Sequence, residues 1–192
     1  MNAADQATHT GDDLSQEAVQ RYEHEYALAH HEAAHPTRQW YPGGLPEVFQ
    51  TPVWAHAHAQ ECGRYPTAAM VRDTVRMRKL RVSVLRNVPI GRELLVTLSG
   101  LLTAPMFLEA HEIAAQHAQT IELAALPHVQ VRVADEAVRV AYPDGFALRD
   151  GQVFTDGPDG PATIRGAARE YHARFKELWK DAEPFTAQML AP

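Results

Sequence analysis

The apolar positions change period along the chain. Ala18, Val19, Tyr22, Tyr26, Ala29 and Ala33 fall on one side of a helical wheel, while His24, Leu28, His31 and His35 take the other. Such a stripe predicts an amphipathic helix. Asp13 or Ser15 caps it, and Pro36 ends it near His35, because proline pushes its predecessor out of the helical region. TRQWYPGGLP (37–46) reads as a short extended piece and a turn. Thr51 then caps a second helix with Pro52 at its tolerated first position. Within it, WAHAHAQEC (54–62) turns Trp54, Ala55, His58, Ala59 and Cys62 inward. A third helix over 67–87 buries Val71, Val75, Val82 and Leu85. Arg78 and Arg81 share that inner arc, whereas Arg72, Arg76, Lys79 and Arg86 face away.

Further along, ELLVTL (93–98) is a strand candidate. Thr103 and Pro105 open a long helix reaching Leu126, with Met106, Phe107, Ala110, Ile113, Ala114, His117, Ile121 and Ala124 on its inner arc. VQVRV (129–133) alternates as a strand does. FALRDGQVFTD (146–156) is a hairpin, since Asp150-Gly151 between alternating segments demands a type I′ turn. GPDGPATIRG (157–166) reads as a loop, followed by an amphipathic helix with Ala168, Tyr171, Phe175, Leu178 and Trp179 on one side and by a short tail helix. This order predicts an α+β fold, with helices packed around a small, mainly antiparallel β-sheet. Residues 1–12 form a polar leader without period, expected to be disordered, and 13–192 form a single domain.

Composition narrows the function only slightly. The 192 residues are 45% hydrophobic and 22% charged, with a net charge of −6. That balance is expected of a globular chain that does not bind nucleic acid or membrane. No run is long and apolar enough to span a bilayer, and the polar N-terminus does not look like a signal peptide. A single cysteine fits a reducing, cytoplasmic compartment. Histidine is the anomaly, with eleven in the chain.

Pro46, Gln50, Thr51, Trp54 and Ala55 form an ordered set, as do Arg78, Arg81 and Leu85. Gln116, Pro127, Val129, Val131 and Val133, then Phe146 and Leu148, complete it. With this set the chain resembles the C-terminal domain, of unknown function, of actinomycete XRE-class antitoxin-like (Scr-type) transcriptional regulators, over roughly residues 20–190. The resemblance implies a regulator-type module, here without its helix-turn-helix. It also shows departures. Val82 replaces a glutamine, a glutamate after the central strand is replaced by Ser99 or Gly100, His58 and His117 stand where leucine is usual, and His31 where glutamate is.

These departures define the candidate chemistry. His58 and Cys62 lie one turn apart, and if the helix of His117 packs beside theirs the three form an N2S set suited to a transition metal or haem. The bland alternative is two histidines bonded to backbone carbonyls beside an inert thiol. HEAAH (31–35) matches the H-E-x-x-H zinc pattern, but it opposes the Tyr/Ala stripe and shows no third ligand, so it is expected to be a solvent-facing histidine stripe. Inward Arg78 and Arg81 either pair with core carboxylates such as Glu109 or Asp135 or, with Trp54, bind an anionic ligand. Two functions are therefore expected. One is a stand-alone regulatory-type module that binds a small ligand or protein partner and does not bind DNA itself. The other is a repurposed small-molecule (natural-product pathway) enzyme, metal- or haem-dependent, around His58, Cys62 and His117. A homodimer is left open.

Overall fold

Leu94, Leu95 and Val96 are all fully buried, so the strand that carries them is covered on both faces. Continuous burial of this kind belongs to parallel strands flanked by helices. The computed structural model describes residues 26, 27, 29–63, 67–157 and 160–191. The expected leader, the caps Asp13 and Ser15, and Ala18, Val19, Tyr22, His24 and Leu28 lie outside the described residues.

Helical residues 29–34 (α1) lead into β1 (Thr37–Tyr41). Two helices, α2 (Pro52–Glu61) and α3 (Ala68–Asn87), carry the chain to β2 (Arg92–Thr97). A short α4 (Leu98–Leu102) and α5 (Ala110–Ala124) carry it to β3 (Val129–Ala134). Then come α6 (Glu136–Ala141), β4 (Phe146–Arg149), β5 (Gln152–Gly157), β6 (Gly160–Ile164), α7 (Ala168–Asp181) and β7 (Glu183–Pro184). The strands form one seven-stranded sheet in the order β6-β5-β4-β1-β2-β3-β7.

This overturns the expectation of a small, mainly antiparallel sheet. β1 pairs β2 in parallel and β2 pairs β3 in parallel, while the outer pairings are antiparallel. Parallel neighbours need long crossovers, and the helical segments between β1, β2 and β3 supply them. The sheet separates two apolar clusters. Trp54, Val82, Leu85, Leu94, Val96 and Leu123 pack on one side, and Trp40, Leu95, Phe146, Leu148 and Phe175 on the other. Each buried aliphatic or aromatic side chain contributes roughly 1.5–3 kcal/mol.

Other boundaries also move. α5 begins at Ala110, because the Glu112 side chain reaches back to the Glu109 backbone N–H at 2.8 Å. Met106 and Phe107, expected inside, are 81% and 75% exposed. The buried stripe of α5 is instead Gln116, Thr120 and Leu123. Tyr26 is exposed rather than buried. The segment 157–166 contains β6, and α6 follows directly after β3. The hairpin turn is as expected, with Asp150 at φ 45° and Gly151 at φ 69°, both positive as type I′ requires.

Candidate functional site

Arg78 and Arg81 lie one turn apart on α3 and are fully buried, as their wheel positions demand. Their partners are not Glu109 or Asp135. Glu109 is exposed, and Asp135 caps α6 by accepting from the Ala137 N–H at 2.7 Å. Glu32, Glu47 and Gln50 take those places. Arg81 donates from Nε to Glu32 Oε2 at 3.0 Å and from Nη2 to Oε1 at 2.7 Å, while its Nη1 reaches Glu47 Oε2 at 2.5 Å. Arg78 donates from Nη1 to the Gln50 side chain, and its Nη2 lies 3.4 Å from Glu47 Oε1.

The sheet adds two more guanidinium groups. Arg92 opens β2 and Arg149 closes β4, and both pair in register with Thr37 at the start of β1. Directly paired residues point to the same face, so Arg92, Thr37 and Arg149 form a row across the sheet. Arg92 donates to the main-chain carbonyls of Glu32 and His35, the last turn of α1, where a cation also meets the negative end of the helix. Arg149 reaches Glu32 Oε1 from Nη2 at 3.3 Å and lies 5.4 Å over the Phe154 ring.

Burial pushes the Glu32 carboxyl up, but Arg81, Arg149 and Arg92 together outweigh it and hold the group below the usual carboxylate range. Glu47 is likewise raised by burial and then drawn down by Arg81 and Arg78, to about 2. Both are ionised at neutral pH. Burial also lowers the Arg149 guanidinium, more than Glu32 restores, and raises the neighbouring Tyr41 phenol. Arginine nevertheless stays protonated in proteins. Among the described residues, four buried guanidinium groups therefore meet two carboxylates, with Arg81 and Arg149 sharing Glu32 and with Arg78 and Arg81 sharing Glu47. Among the described residues, several buried polar atoms also lack a hydrogen-bond partner: Arg78 Nε, Arg149 Nε and Nη1, Thr37 Oγ1 and His31 Nδ1. Each such orphan costs about 1–3 kcal/mol if nothing else meets it.

The other expected site residues are placed separately. Trp54 is buried in the first apolar cluster. His58 is half-buried on α2, where its charge helps lower Glu47. Cys62 donates from Sγ to the Ala59 carbonyl at 3.4 Å. His117 is half-buried on α5 and its Nε2 has no partner. Among the described residues no three His, Cys, Asp or Glu side chains come together as a metal-holding group, so His58, Cys62 and His117 are not gathered into one centre. His31 and His35 are half-buried with ring centroids 5.2 Å apart, rather than a solvent-facing stripe. Glu32 of the same HEAAH stretch turns inward to Arg81, so it is engaged as an ion-pair partner and not free as a general base.

Glu32, Arg92, Arg149 and Thr37 escaped the sequence reading. The available signal was an arginine at the end of each of two strand patterns, on the face that the register makes inward.

Fold and cluster together define an α+β domain with a mixed seven-stranded sheet and a buried, arginine-rich network at one end of its central strands. Residues 25–188 match the family described as a domain of unknown function, DUF5753, and the chain belongs to that family. No curated protein and no solved structure matches it. Among the described residues no helix is long and apolar enough to cross a membrane.

Proposed function

We propose that this chain is a regulatory-type binding module, of the kind found in the XRE-class regulators it resembles, and that it takes a small anionic ligand. The unmet donors of buried Arg149, beside the unmet hydroxyl of Thr37, carry this reading. A purely structural network would be expected to satisfy its donors, because each buried donor without an acceptor costs about 1–3 kcal/mol. A bound anion would supply the missing acceptors to a buried guanidinium. The net charge of −6 supports ligand or protein recognition over phosphate-backbone binding.

The test is a thermal-shift and calorimetric titration of the protein with small carboxylates, phosphate and matched neutral analogues. An anion that binds only the folded state should raise the melting temperature with its concentration, as mass action requires. Neutral analogues should leave it unchanged. If no anion shifts the transition or gives a heat of binding, the reading fails.

A further inference from the structure

We infer that the ligand presents a monocarboxylate to Arg149 and Thr37, at the junction of α1, β1, β4 and β5. This deepens the ligand-binding reading above and rests on it.

Four of the orphaned polar atoms belong to three residues of this junction. Thr37 and Arg149 are directly paired across β1 and β4, and Arg149 Nε, Arg149 Nη1 and Thr37 Oγ1 are all buried without partners. His31 adds an unpartnered Nδ1, and its ring lies 6.4 Å from Phe154, the same ring that Arg149 covers. Glu32, adjacent to His31, already holds Arg149 Nη2, which fixes the guanidinium and leaves its other donors open. Donors held in place on a buried guanidinium, beside a hydroxyl that can also donate, match the acceptor-only character of a carboxylate.

The surroundings favour a single charge. Among the described residues no glycine-rich turn of backbone N–H groups lies here to replace the water shell of a phosphate dianion, and stripping that shell is costlier than desolvating a monoanion. Phe154 is the apolar neighbour of this guanidinium, so the body attached to the carboxylate is expected to be a small hydrocarbon or aryl group.

Calorimetric titrations of acetate, benzoate, phenylacetate and phosphate at constant ionic strength test this on wild type, T37V, R149Q and R72A. Thr37→Val removes a hydroxyl with no partner and keeps the shape, so the free protein should melt at the same temperature or higher. A hydrogen bond to a charged group is lost from the complex, so T37V should bind the best monocarboxylate at least about tenfold more weakly. R149Q should lose binding, and R72A, with its exposed side chain, should match wild type. Equal carboxylate affinity in wild type and T37V, or binding of phosphate with no monocarboxylate bound, overturns the inference while the anion-binding reading stands. Absence of any anion binding to wild type overturns both.

Discussion

Arg81 clasps Glu32 side-on, Nε to Oε2 at 3.0 Å and Nη2 to Oε1 at 2.7 Å, across 49 positions of sequence. Their side chains are 1% and 3% exposed, so neither charge reaches water if the other is removed. The pair joins α3 to α1, and the same carboxylate holds Arg149 of β4. One acidic side chain therefore ties two helices to the sheet.

Breaking this pair should be costly. Arg81→Ala or Glu32→Ala strips a buried charge of its two-bonded partner, an effect of about 3–5 kcal/mol. Arg72 and Arg76, on the exposed face of α3, should lose no more than about 0.5 kcal/mol on truncation to alanine. Urea unfolding of the four variants measures this, and similar midpoints for all four would refute the assignment of faces.

Acid should undo the same network. Glu32 and Glu47 are both held below the ordinary carboxylate value of 4.5, so each contributes stability that is present above that value. That contribution is lost as pH falls through the folded values, which for Glu47 lies at about 2. Stability followed by denaturant midpoint should therefore decline between roughly pH 4.5 and 2, and Glu47→Gln should flatten part of that decline. A wild-type profile already flat across this window would show that the two carboxylates titrate as they do in the unfolded chain.

Much of the helical framework and several single strands were legible in the sequence, and the size and parallel pairing of the sheet were not. Thr51, Pro52, Thr67 and the inward pair Arg78/Arg81 carry local signals, of capping and of period, that neighbouring residues enforce. TRQWY (37–41) reads as a short extended piece, but its threonine, arginine and glutamine hide its central place in the sheet until its partners are known. Arg92, Arg149 and Glu32 meet only through pairings 57 and more positions apart, so no local spacing announces them. Conversely, HEAAH offered a local pattern with a chemical meaning, and tertiary packing assigned its glutamate elsewhere.

Adjacent residues on α5 should respond in opposite senses. Buried Gln116 accepts from the Thr51 N–H at 2.7 Å and donates to the Phe49 carbonyl at 2.8 Å. Gln116→Leu strands the Thr51 N–H and should cost about 1–3 kcal/mol. His117 instead buries an Nε2 that bonds to nothing, so His117→Leu should be neutral or stabilising. Melting temperatures of the two variants decide it. A strong loss in His117→Leu, together with metal retained by wild type but not by that variant in elemental analysis, would restore a ligand role for His117.

The close approach of α4 to the turn after β1 sets up a steric test at Gly100. A Cβ built there would lie 2.9 Å from the Gly44 nitrogen, 3.0 Å from its carbonyl oxygen and 3.0 Å from Thr97 Oγ1. Two of these atoms are backbone and cannot swing aside. The third is committed, since the Thr97 hydroxyl donates to the Pro42 carbonyl at 3.1 Å and accepts from the Gly100 N–H at 3.1 Å. Gly100→Ala must therefore push α4 and the 42–44 turn apart, an overpacking cost of roughly 1–3 kcal/mol. Gly43 is the internal control, because a Cβ there meets nothing within 4 Å. Gly43→Ala should stay within about 0.5 kcal/mol of wild type. Denaturant unfolding of both variants reads the difference, and equal stabilities would mean that α4 does not seat against the turn as described.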